Sequence, residues 1–186
     1  MKAGTWTLAF TDVASGVAAN VEAVVEFARN TWPLVRQHLP GCQFTIVGSN
    51  PAPEVRALAH QDEITVTGTV PDVRRYYRDA LAAVVPVTTA GGTRIKILEA
   101  MAAGVPVVST PLGAEGLDVT SDENILFAQT APEWTARLRS LMDDVDLRRR
   151  LIIAGLSLVR TRYDWSNLGD KLFDGYRDLL SRRGLA

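Results

Sequence analysis

Pro86-Val87-Thr88-Thr89-Ala90-Gly91-Gly92-Thr93-Arg94-Ile95-Lys96-Ile97-Leu98-Glu99-Ala100-Met101-Ala102-Ala103-Gly104-Val105-Pro106-Val107-Val108 is the stretch on which the fold turns. It reads as a strand, a loop containing glycine, a helix and a second strand. A strand–helix–strand unit of this kind requires a crossover and so places its two strands parallel in one sheet. In an open parallel sheet the loop leaving a strand lies at the carboxyl edge, where ligands bind near the point at which the strand order reverses.

Working outward, further short apolar runs occupy residues 6–10, 44–47, 64–67, 83–87, 105–108 and 125–127. Each is apolar at nearly every position, the pattern of a strand buried on both faces. Between them lie helical patterns. Val21, Val24, Val25, Ala28 and Trp32 recur at helical spacing, and similar patterns cover 54–59, 73–81, 93–103 and 133–142. The expectation is an α/β fold: a Rossmann-like doubly wound parallel sheet of about six strands. After residue 127 no strand pattern recurs, and residues 132–183 read as a helical C-terminal tail. Its last segment carries Leu172, Phe173, Tyr176, Leu179 and Leu180 as an apolar stripe. That stripe packs either on its own domain or on a neighbouring one. With no repeat, low-complexity tract or Gly/Ser/Pro-rich linker, residues 1–186 are expected to form one domain.

The central segment also carries the chemistry. Gly91 and Gly92 let the backbone approach a ligand, and the free N–H groups at Thr93 offer the positive end of a helix to a phosphate. Arg94 and Lys96 fall in the first turn, where the macrodipole disfavours each cation by a few tenths to ~1 kcal/mol. A diphosphate at the helix start would reverse the sign of both terms. At 100° per residue, Lys96, Glu99 and Ala103 share one side and Ile97, Leu98 and Met101 the other, the expected buried stripe. Glu99, one turn behind the phosphate position, is then placed to accept hydrogen bonds from ribose hydroxyls. Lys96 and Glu99 fit equally well as a surface pair three residues apart, worth about 0.2 to 0.5 kcal/mol.

Composition narrows the classes. The chain has 186 residues, 47% hydrophobic and 22% charged, with a formal charge of −1. No global field recruits nucleic acid or an anionic membrane. No apolar run approaches the roughly 20 residues of a membrane span. The single Cys42 has no internal disulfide partner and is expected at a strand edge, in a reducing, cytoplasmic setting. His38 and His60 lack a Cys, Ser or acid partner at useful spacing and read as surface residues. Asp143-Asp144-Val145-Asp146 reads as a solvated turn between helices rather than a metal motif. No metal and no cofactor is expected.

The chain resembles the GT-B glycosyltransferases, in particular the large retaining group called glycosyltransferase family 4 or group 1. The likeness is strongest over Leu98-Glu99-Ala100-Met101-Ala102-Ala103-Gly104-Val105-Pro106-Val107-Val108-Ser109-Thr110. It is supported in order by Phe44-Thr45-Ile46-Val47-Gly48, Val66-Thr67-Gly68-Thr69-Val70-Pro71-Asp72, Leu112-Gly113-Ala114 and Tyr163-Asp164-Trp165. The resemblance implies the C-terminal half of such an enzyme, binding a UDP- or GDP-sugar for retaining transfer. The acceptor would lie mostly on an N-terminal domain absent from this chain, and this half alone would bind without transferring. The abrupt lead from Met1 into a strand pattern fits that expectation, and the absent domain could bring the enzyme to the inner face of a membrane.

By the same resemblance Glu99 would be the second signature glutamate, on the ribose. Residues Gly91, Gly92 and Thr93 would meet the diphosphate and sugar. Val70 would flank the base, Gly113 and Ala114 would lie beside the phosphates, and Gly48 is a further substrate-binding candidate. No catalytic side chain is assigned to this half. Two positions depart from the family pattern. Gly91 stands where the first signature glutamate belongs, and residues 11–20 carry neither the Arg nor the Lys that usually grips the diphosphate. Arg94 and Lys96 are the candidates to replace them. Two other readings stay open: a nucleotide-sugar epimerase of the same architecture, and a non-catalytic Rossmann-like scaffold. A dinucleotide-dependent dehydrogenase is disfavoured, because the first strand-to-helix turn has only Gly16 and lacks the Gly-any-Gly-any-any-Gly fingerprint.

Overall fold

The computed structural model describes residues 6–11, 18–78, 80–89 and 94–182. Six strands form one parallel sheet in the order β3-β2-β1-β4-β5-β6. They are β1 (Trp6–Thr11), β2 (Cys42–Val47), β3 (Ile64–Val66), β4 (Ala80–Val85), β5 (Val107–Ser109) and β6 (Leu126–Phe127). The order reverses between β1 and β4, which pair directly through Leu8 with Ala82 and Ala9 with Ala83. This is the doubly wound arrangement expected from the strand pattern.

Alternation along the strands sorts the core into two layers. Leu8, Phe10, Phe44, Ile46, Val84 and Val108 face one side, with Val24, Phe27, Trp134 and Leu138. Ala9, Ala83, Val85 and Val107 face the other, with Tyr77, Ile97, Ala100 and Met101. The first side is covered by α1 (Ala18–Glu26), α2 (Trp32–His38) and α6 (Ala131–Asp143). Across it the Phe27 and Trp134 rings meet edge to face, 5.1 Å apart. The second side is covered by α4 (Arg74–Arg78) and α5 (Ile95–Ala102), with α7 (Val145–Leu158) packed outside α5. A short α3 (Pro53–Ala57) follows β2, and α8 (Trp165–Arg182) closes the chain.

Several boundaries move from their expected places for identifiable reasons. The β5 strand starts at Val107 rather than 105, because α5 stops in a Schellman motif. Gly104, at φ 74°, donates to Met101 O, and Val105 donates to Ala100 O. The segment 73–81 yields only the short α4, since Ala80 and Leu81 pair into β4. The helix through Trp32 is interrupted by a π turn over Phe27–Thr31, in which Trp32 N–H reaches back to Phe27 O. Pro33 follows with no N–H to give, so the regular ladder cannot run through this point. Asp144 of the acidic run caps α7 by accepting from Leu147 N–H at 2.8 Å, and its neighbours are exposed.

Candidate functional site

Strands β1, β4 and β5 end side by side at the carboxyl edge, around the reversal between β1 and β4. Two helices start there, α1 after β1 and α5 after β4. Lys96, the second residue of α5, is 8% exposed and its Nζ donates to Asn20 Oδ1 at 2.6 Å. Asn20 is the third residue of α1 and is 5% exposed. The ammonium also stands 5.5 Å from the centre of the Phe10 ring, at the end of β1. Beneath it, Tyr77 Oη is 2.6 Å from Thr11 Oγ1 and 3.5 Å from Lys96 O. Three elements from opposite sides of the strand reversal thus meet at one lysine.

The inward turn of Lys96 corrects the helical-wheel expectation that placed it with Glu99 on an outer face. Lys96 lies on the buried stripe with Ile97, Ala100 and Met101, whereas Leu98 is half-buried and Glu99 exposed. The surface-pair reading needs an exposed lysine and falls with this geometry. Burying an ammonium carries a large desolvation penalty, which the hydrogen bond to Asn20 and the face of the Phe10 ring offset in part.

Arg94 is the N-cap residue of α5, and its side chain departs in another direction. Its Nη2 donates to Leu112 O at 3.1 Å and lies 3.5 Å from Glu115 Oε2. It thereby ties the start of α5 to the 3₁₀ turn Leu112–Ala114 that leaves β5. Gly113 and Ala114 are buried in that turn, held by Gly113 N–H donating to Thr110 Oγ1 at 2.9 Å. Gly48 follows β2 and Val70 follows β3, both half-buried, on the same carboxyl edge but on the flank beyond β1. Gly91, Gly92 and Thr93 lie outside the described residues. Just before them, Thr88 and Thr89 hydroxyls reach Glu26 and Glu22 of α1, each at 3.4 Å.

Sequence reading missed Asn20, whose local signal was a polar residue on the otherwise apolar buried side of α1. Among the described residues, no three carboxylate, imidazole or thiol side chains cluster to hold a metal. His38 and His60 are exposed, and Cys42 is buried at the start of β2. No helix among the described residues is long and apolar enough to cross a membrane. A groove of about 680 Å³ lies elsewhere, between α7 and the turn before β6, lined in part by Asp122, Arg150, Ile153 and Ser157.

A family model described as glycosyl transferases group 1 matches residues 13–144. The chain belongs to this family. A relative, the GDP-mannose-dependent alpha-(1-6)-phosphatidylinositol monomannoside mannosyltransferase of Mycobacterium tuberculosis, is 31% identical over 160 residues. The match covers 78% of this chain and 42% of the relative, so the chain spans about two fifths of its length. The C-terminal domain of a glycosyl transferase group 1 family protein from Francisella tularensis superposes with a TM-score of 0.64 at 20% identity. That match covers 87% of this chain and 88% of that domain. Anabaena HepE, solved in complex with UDP-glucose, has a TM-score of 0.70 at 16% identity, covering 95% of this chain and 50% of HepE. The fold is accordingly that of the C-terminal half of a GT-B glycosyltransferase.

Proposed function

We propose that this chain is the donor-binding half of a two-domain retaining glycosyltransferase, taking a UDP- or GDP-linked sugar with its diphosphate at the start of α5. The observation that carries this reading is Lys96, a buried ammonium at the strand reversal, where the dipole of α5 alone would not favour a cation. A diphosphate there is stabilised by the ammonium and by the helix end together. Arg94 serves this site indirectly, by clamping the turn that carries Gly113 and Ala114 beside the phosphates. Glu99, exposed one turn along α5, accepts the ribose hydroxyls. Gly91, Gly92 and Thr93 supply close backbone approach, and the loops at Gly48 and Val70 flank the base.

In transfer, the bond between the sugar's anomeric carbon and the diphosphate oxygen breaks, and the electron pair stays with the nucleotide. Lys96 and the α5 terminus stabilise that growing charge. The acceptor belongs to an N-terminal domain, a reading supported by the fraction of its relatives that this chain spans. The proposal includes no resident metal. The relative named for GDP-mannose and the fold neighbour bound to UDP-glucose together make both bases worth testing.

The test is thermal unfolding of the chain with UDP, GDP and their hexose conjugates. A ligand at about 100 times its Kd stabilises by about 2.7 kcal/mol, a rise of several degrees. The expected result is a saturable rise with one base that is absent in Lys96→Met. No rise with any of these ligands would contradict the proposal.

A further inference from the structure

We infer that Thr110 is a positioning residue for the donor diphosphate: its hydroxyl ties the start of the loop leaving β4 to the turn leaving β5, on either side of the start of α5. The inference rests on the proposed placing of the diphosphate there.

Thr110 is the first residue after β5 and is 5% exposed. Its own backbone is fixed, because its N–H donates to Val85 O, at the end of β4, at 3.1 Å. From that base the hydroxyl makes two bonds in different directions. Its proton goes to Val87 O at 2.5 Å, and its oxygen accepts the Gly113 N–H at 2.9 Å. Val87 is the last buried residue before the exposed Thr88 and Thr89, which precede Gly91, Gly92 and Thr93 in the chain. Gly113 lies in the turn Leu112–Ala114, where Leu112 O takes the bond from Arg94. One side chain thus joins the two segments assigned to the surroundings of the phosphates.

This link is tighter than the others on the same loop. Beyond Val87, the Thr88 and Thr89 hydroxyls reach Glu26 and Glu22 at 3.4 Å, long for an O–H donor. With its single proton committed to Val87 O, the Thr110 hydroxyl has none to give a phosphate. It acts on a ligand through the segments it holds, and a displacement of about 1 Å in such segments misaligns every contact made across them. Valine has nearly the shape of threonine and can make neither bond, whereas serine can make both.

The experiment measures calorimetric affinities, at a temperature where every protein is folded, for the nucleoside diphosphate of the preferred base and for the matching monophosphate. The proteins are the unaltered chain, Thr110→Val, Thr110→Ser, Ser109→Ala and Lys96→Met, each checked by circular dichroism and melting temperature. Ser109 is the control for stability alone. It too is buried, and its hydroxyl donates to carbonyls of the strand ends, Val85 O at 3.2 Å and Thr110 O at 2.9 Å. Thr110→Val is expected to melt lower and to lose diphosphate affinity on the order of tenfold, with a smaller loss for the monophosphate. Thr110→Ser should stay within about threefold of the unaltered chain, and Ser109→Ala should melt lower at unchanged affinity. A purely structural threonine predicts a lower melting temperature in Thr110→Val with affinity unchanged. That result, with affinity lost in Lys96→Met, overturns the inference about Thr110 alone. A loss in Ser109→Ala or in Thr110→Ser as large as that in Thr110→Val also overturns it. Unchanged affinity in Lys96→Met overturns the reading of Lys96 and this inference with it. Should Thr110→Val not fold, Thr110→Ala decides: affinity lost there and kept in Thr110→Ser supports positioning, and affinity equal to that of the unaltered chain overturns it.

Discussion

A Cβ on Gly113 would stand 2.6 Å from Ser109 Oγ, with Thr110 Oγ1 and Val85 O each at 3.0 Å. Those hydroxyls are not free to retreat. Ser109 Oγ donates to Thr110 O at 2.9 Å and Thr110 Oγ1 to Val87 O at 2.5 Å, satisfying carbonyls beside the ends of β4 and β5. Glycine at 113 thus lets the turn lie directly on the strand ends, beside the Arg94 clamp. Gly113→Ala is expected to cost about 1 to 3 kcal/mol in urea unfolding, as overpacking does where backbone must shift. Gly155→Ala is the control. The three atoms nearest its Cβ would all belong to Met101, the closest being Cγ at 3.1 Å, a flexible side chain, and the position lies in a helix that favours alanine. A net change within about 1 kcal/mol is expected there. Equal, large losses at both positions would contradict this account of Gly113.

Burial pushes the Cys42 thiol from its ordinary 9.0 up to about 12, opposed by a backbone hydrogen bond at Gln43 and reinforced by the Glu63 carboxylate. The thiolate, which is the reactive form, is thereby suppressed. Native protein at pH 8 should resist alkylation by iodoacetamide, and full modification should appear only on unfolding. The linkage has a definite sign. The folded value lies above the unfolded one, so this stabilising contribution is complete below pH 9 and is lost as pH rises toward 12. Cys42→Ala should flatten that alkaline decline in stability, and an unchanged decline would assign it to other groups.

The start of α6 is held by a reciprocal capping box. Glu133 N–H donates to Thr130 Oγ1 at 3.4 Å, while Glu133 Oε2 accepts from the N–H groups of Gln129 at 2.7 Å and Thr130 at 3.2 Å. Thr130→Ala should cost about 1 kcal/mol by denaturant unfolding. The two backbone donors, that of Gln129 first, hold the Glu133 carboxyl below its ordinary value. This contribution is present above the unfolded carboxyl range and is lost as pH falls through the depressed folded value. Glu133→Gln should weaken the acid dependence of the melting temperature, and an identical acid limb in the variant would contradict that assignment.

Along α8, Trp165, Phe173, Tyr176 and Leu179 are 86%, 66%, 61% and 55% exposed. A stripe left in water contributes little to the stability of this chain. Phe173→Ser with Leu179→Ser is expected to change unfolding free energy by no more than about 0.5 kcal/mol per site, the usual range for surface substitutions. A loss of several kcal/mol would show that these residues pack within the domain after all.

The sheet was legible because its strands are nearly continuous apolar runs, and a run such as Phe44-Thr45-Ile46-Val47 between glycine-marked turns admits few other readings. The end of α5 was not, because Val105 has the composition of a strand residue and only the backbone geometry at Gly104 assigns it to the helix stop. At the site, Glu99 could be placed by helical period alone. Lys96 could not, since a helical wheel sends lysine outward and its partner Asn20 becomes a neighbour only through the pairing of β1 with β4. The separate path of Arg94 toward Leu112 was likewise hidden, because it depends on where the turn after β5 lies.

The central claim is that this chain grips the nucleotide of a sugar donor through α5. The most direct measurement is isothermal titration of the chain with UDP and with GDP, beside a Glu99→Ala variant whose folding is verified. The account predicts binding to one of the two, with affinity falling by tenfold or more in Glu99→Ala, as the loss of charge-assisted hydrogen bonds to ribose requires. Equal affinity in both proteins, or binding to neither nucleotide, would contradict it.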